Sequence, residues 1–234
     1  MRNLIVEKVD KKVTAIVPTY NEAERIGSVL DILVSYPGFD QIIVVDDGST
    51  DNTAKIVKRY PVIYIQHHIN KGKAQAMETG VSKAETNVIF FCDADITGLT
   101  TKIIDEVVLP VMAGKTDMFI AMRNRKIYFL RFILFFVPLL GGERALTKDL
   151  WHKLPIYYKQ RFRIETALNF YAKYFGKGFR YKVFTGVSQE IKEKKYGLLK
   201  GLAQRISMFY DILSAQARLH LVEFPTVLKK KLRL

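Results

Sequence analysis

The sequence predicts an α/β fold built on a mainly parallel sheet with helices on both faces. Two patterns predict it: short apolar runs alternate with amphipathic stretches at helical spacing through the first half of the chain, and each apolar run stops at a cluster of polar residues. A third observation is the run VIFFC at 88–92, apolar throughout and so suited to a strand buried on both faces.

Element by element, VTAIVPT (13–19) reads as the first strand, and EAERIGSVLDILVSY (22–36) as a helix with Ile26, Val29, Leu30 and Leu33 on one face. QIIVVDD (41–47) reads as a strand, TDNTAKIVKRY (50–60) as a helix, VIYIQ (62–66) as a strand and KAQAMETGVSKA (73–84) as a helix. VIFFC then leads into DADITG, after which TTKIIDEVVLPVMAG (100–114) reads as a helix and DMFIAM (117–122) as a strand. Right-handed crossovers between such strands make the sheet parallel. Beyond Arg123 the rhythm breaks. A greasy segment (127–142), a helix RIETALNFYAKYF (163–175), a strand near FRYKVFTGV (179–187) and a long amphipathic helix (196–221) look added to the first sheet.

At 234 residues the chain is expected to form one domain, with a first half at 1–98, a second part at 99–196 and a C-terminal helix with a basic tail at 197–234. Its single cysteine, Cys92, excludes a disulfide framework and a cysteine metal site. The net charge of +14, with clusters RNRK (123–126), KEKK (192–195) and KKKLR (229–233), points to an anionic partner. Nucleic acid is the poorest of these, because Asp46, Asp47, Asp93 and Asp95 would face the groove and no aromatic-basic RNA signature appears. Residues 127–142, interrupted by Arg131 and Pro138, are too few to span a bilayer; they suit either a buried helix or one lying in a membrane interface. The expected location is cytoplasmic, or peripheral on the inner face of the membrane.

The chemistry lies where strands stop. Asp93 and Asp95 in DAD alternate along an extended strand, and so are expected on one side of the rim, where open parallel sheets bind ligands and a cation could be held. The ordered set PTYNEAERI (18–26), VVDDGSTDNT (44–53), INKGKAQAMETG (69–80) and DADITG (93–98) resembles the nucleotide-sugar glycosyltransferases of family 2, which have the GT-A fold. A nucleotidyltransferase on a similar sheet is the alternative of another class, but it predicts a glycine-rich basic loop after the first strand, which TYNEAER is not.

The resemblance implies a donor pocket for a UDP- or GDP-linked sugar lined by Pro18, Thr19, Tyr20, Asn21 and Glu22, with Asp46 and Asp47 near base and ribose and Ser49 to Asp51 capping a helix. It places Lys71 at the diphosphate, leaving Lys73 open. Asp93, Ala94 and Asp95 would form the family's D-x-D signature, Asp95 binding Mg2+ or Mn2+ and Asp93 contacting ribose or the metal shell. Glu190 in TGVSQEIKEK stands near the place where relatives carry a third metal ligand, a histidine that this chain lacks. On the acceptor side, Gly142, Glu143 and Arg144 of GGERALTKDLW fit a sugar or phosphate, with Arg123 and Arg125 nearby. Glu165 in RIETALN matches the acid that many members use as base or acceptor contact. The implied acceptor is phosphorylated: polyprenyl phosphate at an anionic membrane surface, or a soluble one such as 3-phosphoglycerate.

Overall fold

The computed structural model describes residues 12–123, 141–160, 163–189, 207 and 210–225. The elements in order are β1 (Val13–Thr19), α1 (Ile26–Ser35), β2 (Gln41–Asp46), α2 (Thr53–Val57), β3 (Ile63–Gln66), α3 (Lys73–Lys83), β4 (Val88–Phe91), β5 (Ile96–Thr97), α4 (Thr101–Met112), β6 (Met118–Arg123) and β7 (Arg144–Thr147). They continue with α5 (Lys148–Lys153), a 3-10 turn (Ile156–Tyr158), α6 (Arg163–Phe175), β8 (Phe179–Phe184), β9 (Ser188–Gln189) and α7 (210–225), which contains a π-helical turn at Leu219–Glu223.

Seven strands form one sheet in the order β3-β2-β1-β4-β7-β6-β8, and β5 pairs with β9 in a small second sheet. All pairings in the large sheet are parallel except those of β7, which runs antiparallel to both β4 and β6. Strands from both halves of the chain thus share one sheet. The central strands are apolar on both sides, and successive residues feed opposite layers. Val13, Ala15, Val17, Val88 and Phe90 pack with α1 and α4, while Ile16, Ile43, Val45, Ile89 and Phe91 pack with α3, α5, α6 and α7. Helix α1 buries Ile26, Val29, Leu30 and Leu33, the face its spacing predicts. Thr100 and Thr147 cap α4 and α5, their hydroxyls accepting from the amides of Ile103 and Leu150.

Two details differ from the sequence reading. Strand β4 ends at Phe91, and residues 93–96 turn back, the Ile96 amide donating to the Asp93 carbonyl at 3.4 Å. Asp93 and Asp95 therefore flank a turn, and strand alternation does not decide where they face. Strand β7 was not expected, because four residues beginning with an arginine carry too little periodicity to signal a strand. The greasy segment lies outside the described residues apart from Gly141 and Gly142, as do KEKK and the basic tail.

Candidate active site

The segments that leave β1 and β2 are sewn together by side chains. Asn21 sits in the left-handed region at φ 52°, tolerable for asparagine, and its Oδ1 accepts from the Thr50 amide at 2.8 Å. In return the Asn21 amide donates to Ser49 Oγ, and the Glu22 amide to Thr53 Oγ1, each at 2.9 Å. Ser49 thus ties two loops, while Asp51 takes the cap-like role, its Oδ1 accepting from the Thr53 amide at 2.9 Å. Gly48, at φ 79°, brings this loop against the next; a Cβ there would stand 3.0 Å from the Asn70 nitrogen and the Ile69 carbonyl carbon.

Both acids that end β2 are buried and turned to protein partners. Asp46 accepts from the Ser49 amide at 2.8 Å and from the Tyr64 hydroxyl at 2.7 Å. Burial beside that carboxylate raises the Tyr64 pKa above the tyrosine range. Asp47 accepts from the amides of Lys71 (2.9 Å) and Gly72 (2.7 Å) and stands 2.7 Å from His67 Nδ1, whose Nε2 is 3.0 Å from Thr79 Oγ1. This carboxylate fixes the turn into α3.

The first residue of that helix then reaches across the rim. Lys73 Nζ lies 2.5 Å from Asp93 Oδ1, and Arg123 approaches the other Asp93 oxygen at 3.7 Å. Arg123 also stands 3.5 Å from Glu143, whose carboxylate oxygens are buried without a hydrogen bond. Burial would raise the Asp93 pKa, but Lys73 and Arg123 outweigh it and lower it. Desolvation would lower the Lys73 pKa, and Asp93, Glu165 and Glu143 together raise it. Glu143 is pushed up to about 7 by burial and by the charge of Asp93. Backbone and acid meet closely here: a Cβ on Gly142 would overlap the Asp93 carboxylate, so any larger residue there displaces that acid. Glu165, in the first turn of α6, is half-buried, has one oxygen buried without a hydrogen bond, and acts on the charges of both Lys73 and Arg144.

The structure thus gathers Asp93, Lys73, Arg123, Glu143, Arg144 and Glu165 around one rim, with Asp95, half-buried, two residues beyond Asp93. Pro18 sits inside β1 opposite Val45, Thr19 is buried with its hydroxyl unpartnered, Tyr20 is 37% exposed, and Ala94 is buried. Arg125, Arg131 and Glu190 lie outside the described residues. Three expectations change. The carboxylates of Asp46 and Asp47 are buried and turned to loop contacts rather than open at the rim. Three residues expected on the acceptor side lie beneath the rim surface: Arg144 and Glu143 are each 1% exposed and the Arg123 side chain 9%, and the Arg144 guanidinium folds onto the Gly141 carbonyl, burial lowering its pKa. Lys71 and Lys73 are both exposed, and the ammonium that reaches the D-x-D turn is that of Lys73, with Gly72 at φ 90° between the two. His67, a residue whose only local sign is its place after β3, braces Asp47.

A mainly parallel sheet of this order, extended by β6, β7 and β8, with charged groups gathered at its rim, is a GT-A fold. The chain belongs to glycosyl transferase family 2, whose family model matches residues 14–187, and it is a glycosyltransferase. An uncharacterized protein of Methanocaldococcus jannaschii is 29% identical over 231 residues, covering 96% of this chain and 84% of that protein. The 4,4'-diaponeurosporenoate glycosyltransferase of Staphylococcus aureus is 37% identical over 94 residues, 38% of this chain; the match spans only 25% of that enzyme. Among solved structures, glucosyl-3-phosphoglycerate synthase of Mycobacterium tuberculosis with Mn2+, UDP-glucose and phosphoglyceric acid superposes with a TM-score of 0.74 at 20% identity, over 90% of this chain and 81% of that one. Its complex with glycerol 3-phosphate gives 0.75 at 18% identity, over 90% and 82%. At such identities the likeness is one of fold.

Proposed function

We propose that this glycosyltransferase moves a hexose from a UDP- or GDP-linked sugar to a phosphorylated acceptor, polyprenyl phosphate at a membrane surface being the leading candidate. The observation that carries the reading is the convergence of loops after β1, β2, β3 and β4, with Asp47 fixing the turn that delivers Lys73 to Asp93. Family membership leaves no room for the nucleotidyltransferase alternative.

The chain is taken as one domain, residues 1–98 supplying most of the donor site and 99–196 the acceptor side. Tyr20, partly exposed on the β1 loop, and the unpartnered Thr19 hydroxyl are the groups offered to base and ribose, a task that passes to them from Asp46 and Asp47. Lys73, at the N-terminus of α3, meets the diphosphate, where both its charge and the helix end favour anions. Donor binding then sets phosphate oxygens in competition with Asp93 for the lysine. Arg123 stays on Asp93 and Glu143 and keeps both acids in place. Glu165 faces the acceptor; it binds sugar hydroxyls, or takes a proton where the acceptor is an alcohol. A phosphate acceptor is already ionised and needs no base.

Asp95 is the carboxylate proposed to hold a divalent cation. Among the described residues no three His, Cys, Asp or Glu side chains gather into a metal site, and Asp93 is already balanced by two cations. A hard ion held by one carboxylate keeps its other positions for water and phosphate oxygens, the usual pattern for Mg2+. When bound, it would stabilise charge on the departing nucleoside diphosphate. Glu190 is the further ligand proposed, as it directly follows β9, which pairs with β5 just beyond Asp95.

A soluble phosphorylated acceptor is the second reading, favoured by the fold neighbours, crystallised with phosphoglyceric acid and glycerol 3-phosphate. Release of nucleoside diphosphate, screened over UDP- and GDP-sugars with Mn2+ and with each acceptor class, tests both. Turnover that rises only with polyprenyl phosphate supports the first reading, and a rise only with phosphoglycerate supports the second. Transfer to neither refutes the assignment of a phosphorylated acceptor.

A further inference from the structure

We propose that the outer face of α7 is a docking surface for an anionic lipid bilayer. The proposal rests on the membrane-side acceptor reading for its purpose, while its physical basis is separate. Helix α7 buries Ala215 and Leu219 against the layer that holds α3, α5 and α6, and Ile212 on the same side is 1% exposed. An ordinary surface helix is polar on the opposite side. Here the opposite side carries Tyr210, Leu213, Ala217 and Leu221 at helical spacing, and the three large residues are 70%, 61% and 76% exposed. Val222 adds a further 54% exposed side chain. Single exposed apolar residues need no explanation, but a continuous stripe does.

The helix is firmly seated, so the stripe is not the product of a loose end. Arg163 Nη2 stands 3.4 Å from Asp211 Oδ1, and the guanidinium groups of Arg163 (4.6 Å) and Arg218 (4.3 Å) both pack on the Tyr157 ring. Tyr158 donates to Glu223 at 3.4 Å, which places the turn bearing Ile156, itself 72% exposed, alongside the helix.

Charge decides the occupant. Immediately after α7 the sequence runs TVLKKKLRL, with four cations, no acid and four further large apolar residues. A second copy of this chain would bring two +14 molecules together at their basic ends, which self-repulsion opposes. An anionic bilayer answers both features at once, apolar side chains entering the headgroup region while lysines meet lipid phosphates. No helix among the described residues is long and apolar enough to cross a membrane, so α7 would lie in the interface plane.

Co-sedimentation with phosphatidylglycerol–phosphatidylcholine vesicles, against pure phosphatidylcholine vesicles and without any nucleotide sugar, tests the proposal. The full chain should bind the anionic vesicles and release as salt is raised. The double variant Leu213→Glu with Leu221→Glu should lose about tenfold or more in partitioning. Leu109→Glu, at an exposed apolar residue of α4 on the other side of the sheet, should bind as the parent does. Donor-induced thermal stabilisation, measured on the same variants without vesicles, should be unchanged, which separates failure of this proposal from failure of the glycosyltransfer reading. Absence of binding to anionic vesicles at low salt overturns the proposal, as does unimpaired binding by the double variant. So does a parent that is dimeric in solution where the double variant is monomeric, for then the stripe joins two copies.

Discussion

Lys73 Nζ, at the start of α3, and Asp93 Oδ1, in the turn after β4, meet at 2.5 Å, with 46% of the lysine side chain still open to solvent and only 8% of the aspartate. The exposed half of this pair is the lysine, the half proposed to meet the diphosphate. Lys73→Ala is therefore expected to lower turnover about 100-fold, the scale for losing one group aimed at developing charge. Lys71→Ala should change it by less than about threefold, as expected for an exposed cation screened by salt. Steady-state kinetics with the best donor distinguish the two lysines.

Asp47 bears on stability as well as binding. Its carboxylate holds two amides and His67 in a buried setting, so Asp47→Ala leaves several buried donors unmet. We expect a loss of about 3 kcal/mol in urea unfolding, together with a raised donor KM, since the turn that delivers Lys73 loosens. Asp47→Asn should recover part of the stability, because it keeps one acceptor.

Gly142 faces the Asp93 carboxylate with no room for a methyl group. Gly142→Ala should cost about 1–3 kcal/mol through overpacking and should displace Asp93, reducing turnover more than stability explains. Thermal unfolding and kinetics on one preparation measure both.

Glu143 gives a pH signature. Its folded pKa, near 7, lies above the ordinary glutamate value of 4.5, so the folded state holds the proton more tightly than the unfolded chain. The contribution of this group is then fully present below about pH 4.5 and is lost as pH rises through about 7, by at most about 3 kcal/mol. Glu143→Gln should remove that fall, and above pH 7 the variant should be the more stable protein. Urea unfolding at several pH values checks the sign.

Much of this was legible in the sequence because the first half is locally unambiguous. VTAIVPT, QIIVVD and VIFF are apolar beyond any helical reading, and they form β1, β2 and β4. The DAD motif stands out by residue type and spacing, Glu165 only through the family resemblance, and the structure brings Asp93 and Glu165 into one charge cluster. What stayed hidden depends on tertiary contact. Nothing local distinguishes Lys71 from Lys73 until the φ of Gly72 is known. Nothing in DDGSTD says that its first two acids turn inward, since an aspartate that bonds loop amides and one that bonds a ligand look alike in sequence. Arg144 belongs to a four-residue antiparallel strand whose two partners both lie more than twenty residues earlier in the chain, so its burial has no local sign.

The most direct test of the central claim, that the rim grips a nucleotide sugar through Lys73 and Asp95, is the melting temperature with UDP- and GDP-sugars and Mn2+ for the parent, Lys73→Ala and Asp95→Ala. At about a hundredfold excess over Kd, a native-state ligand adds about 2.7 kcal/mol, which for a chain of this size is a rise of roughly 5–10 °C. The account predicts that rise in the parent with at least one donor and its loss in both variants. No rise with any donor, or an equal rise in the variants, contradicts it.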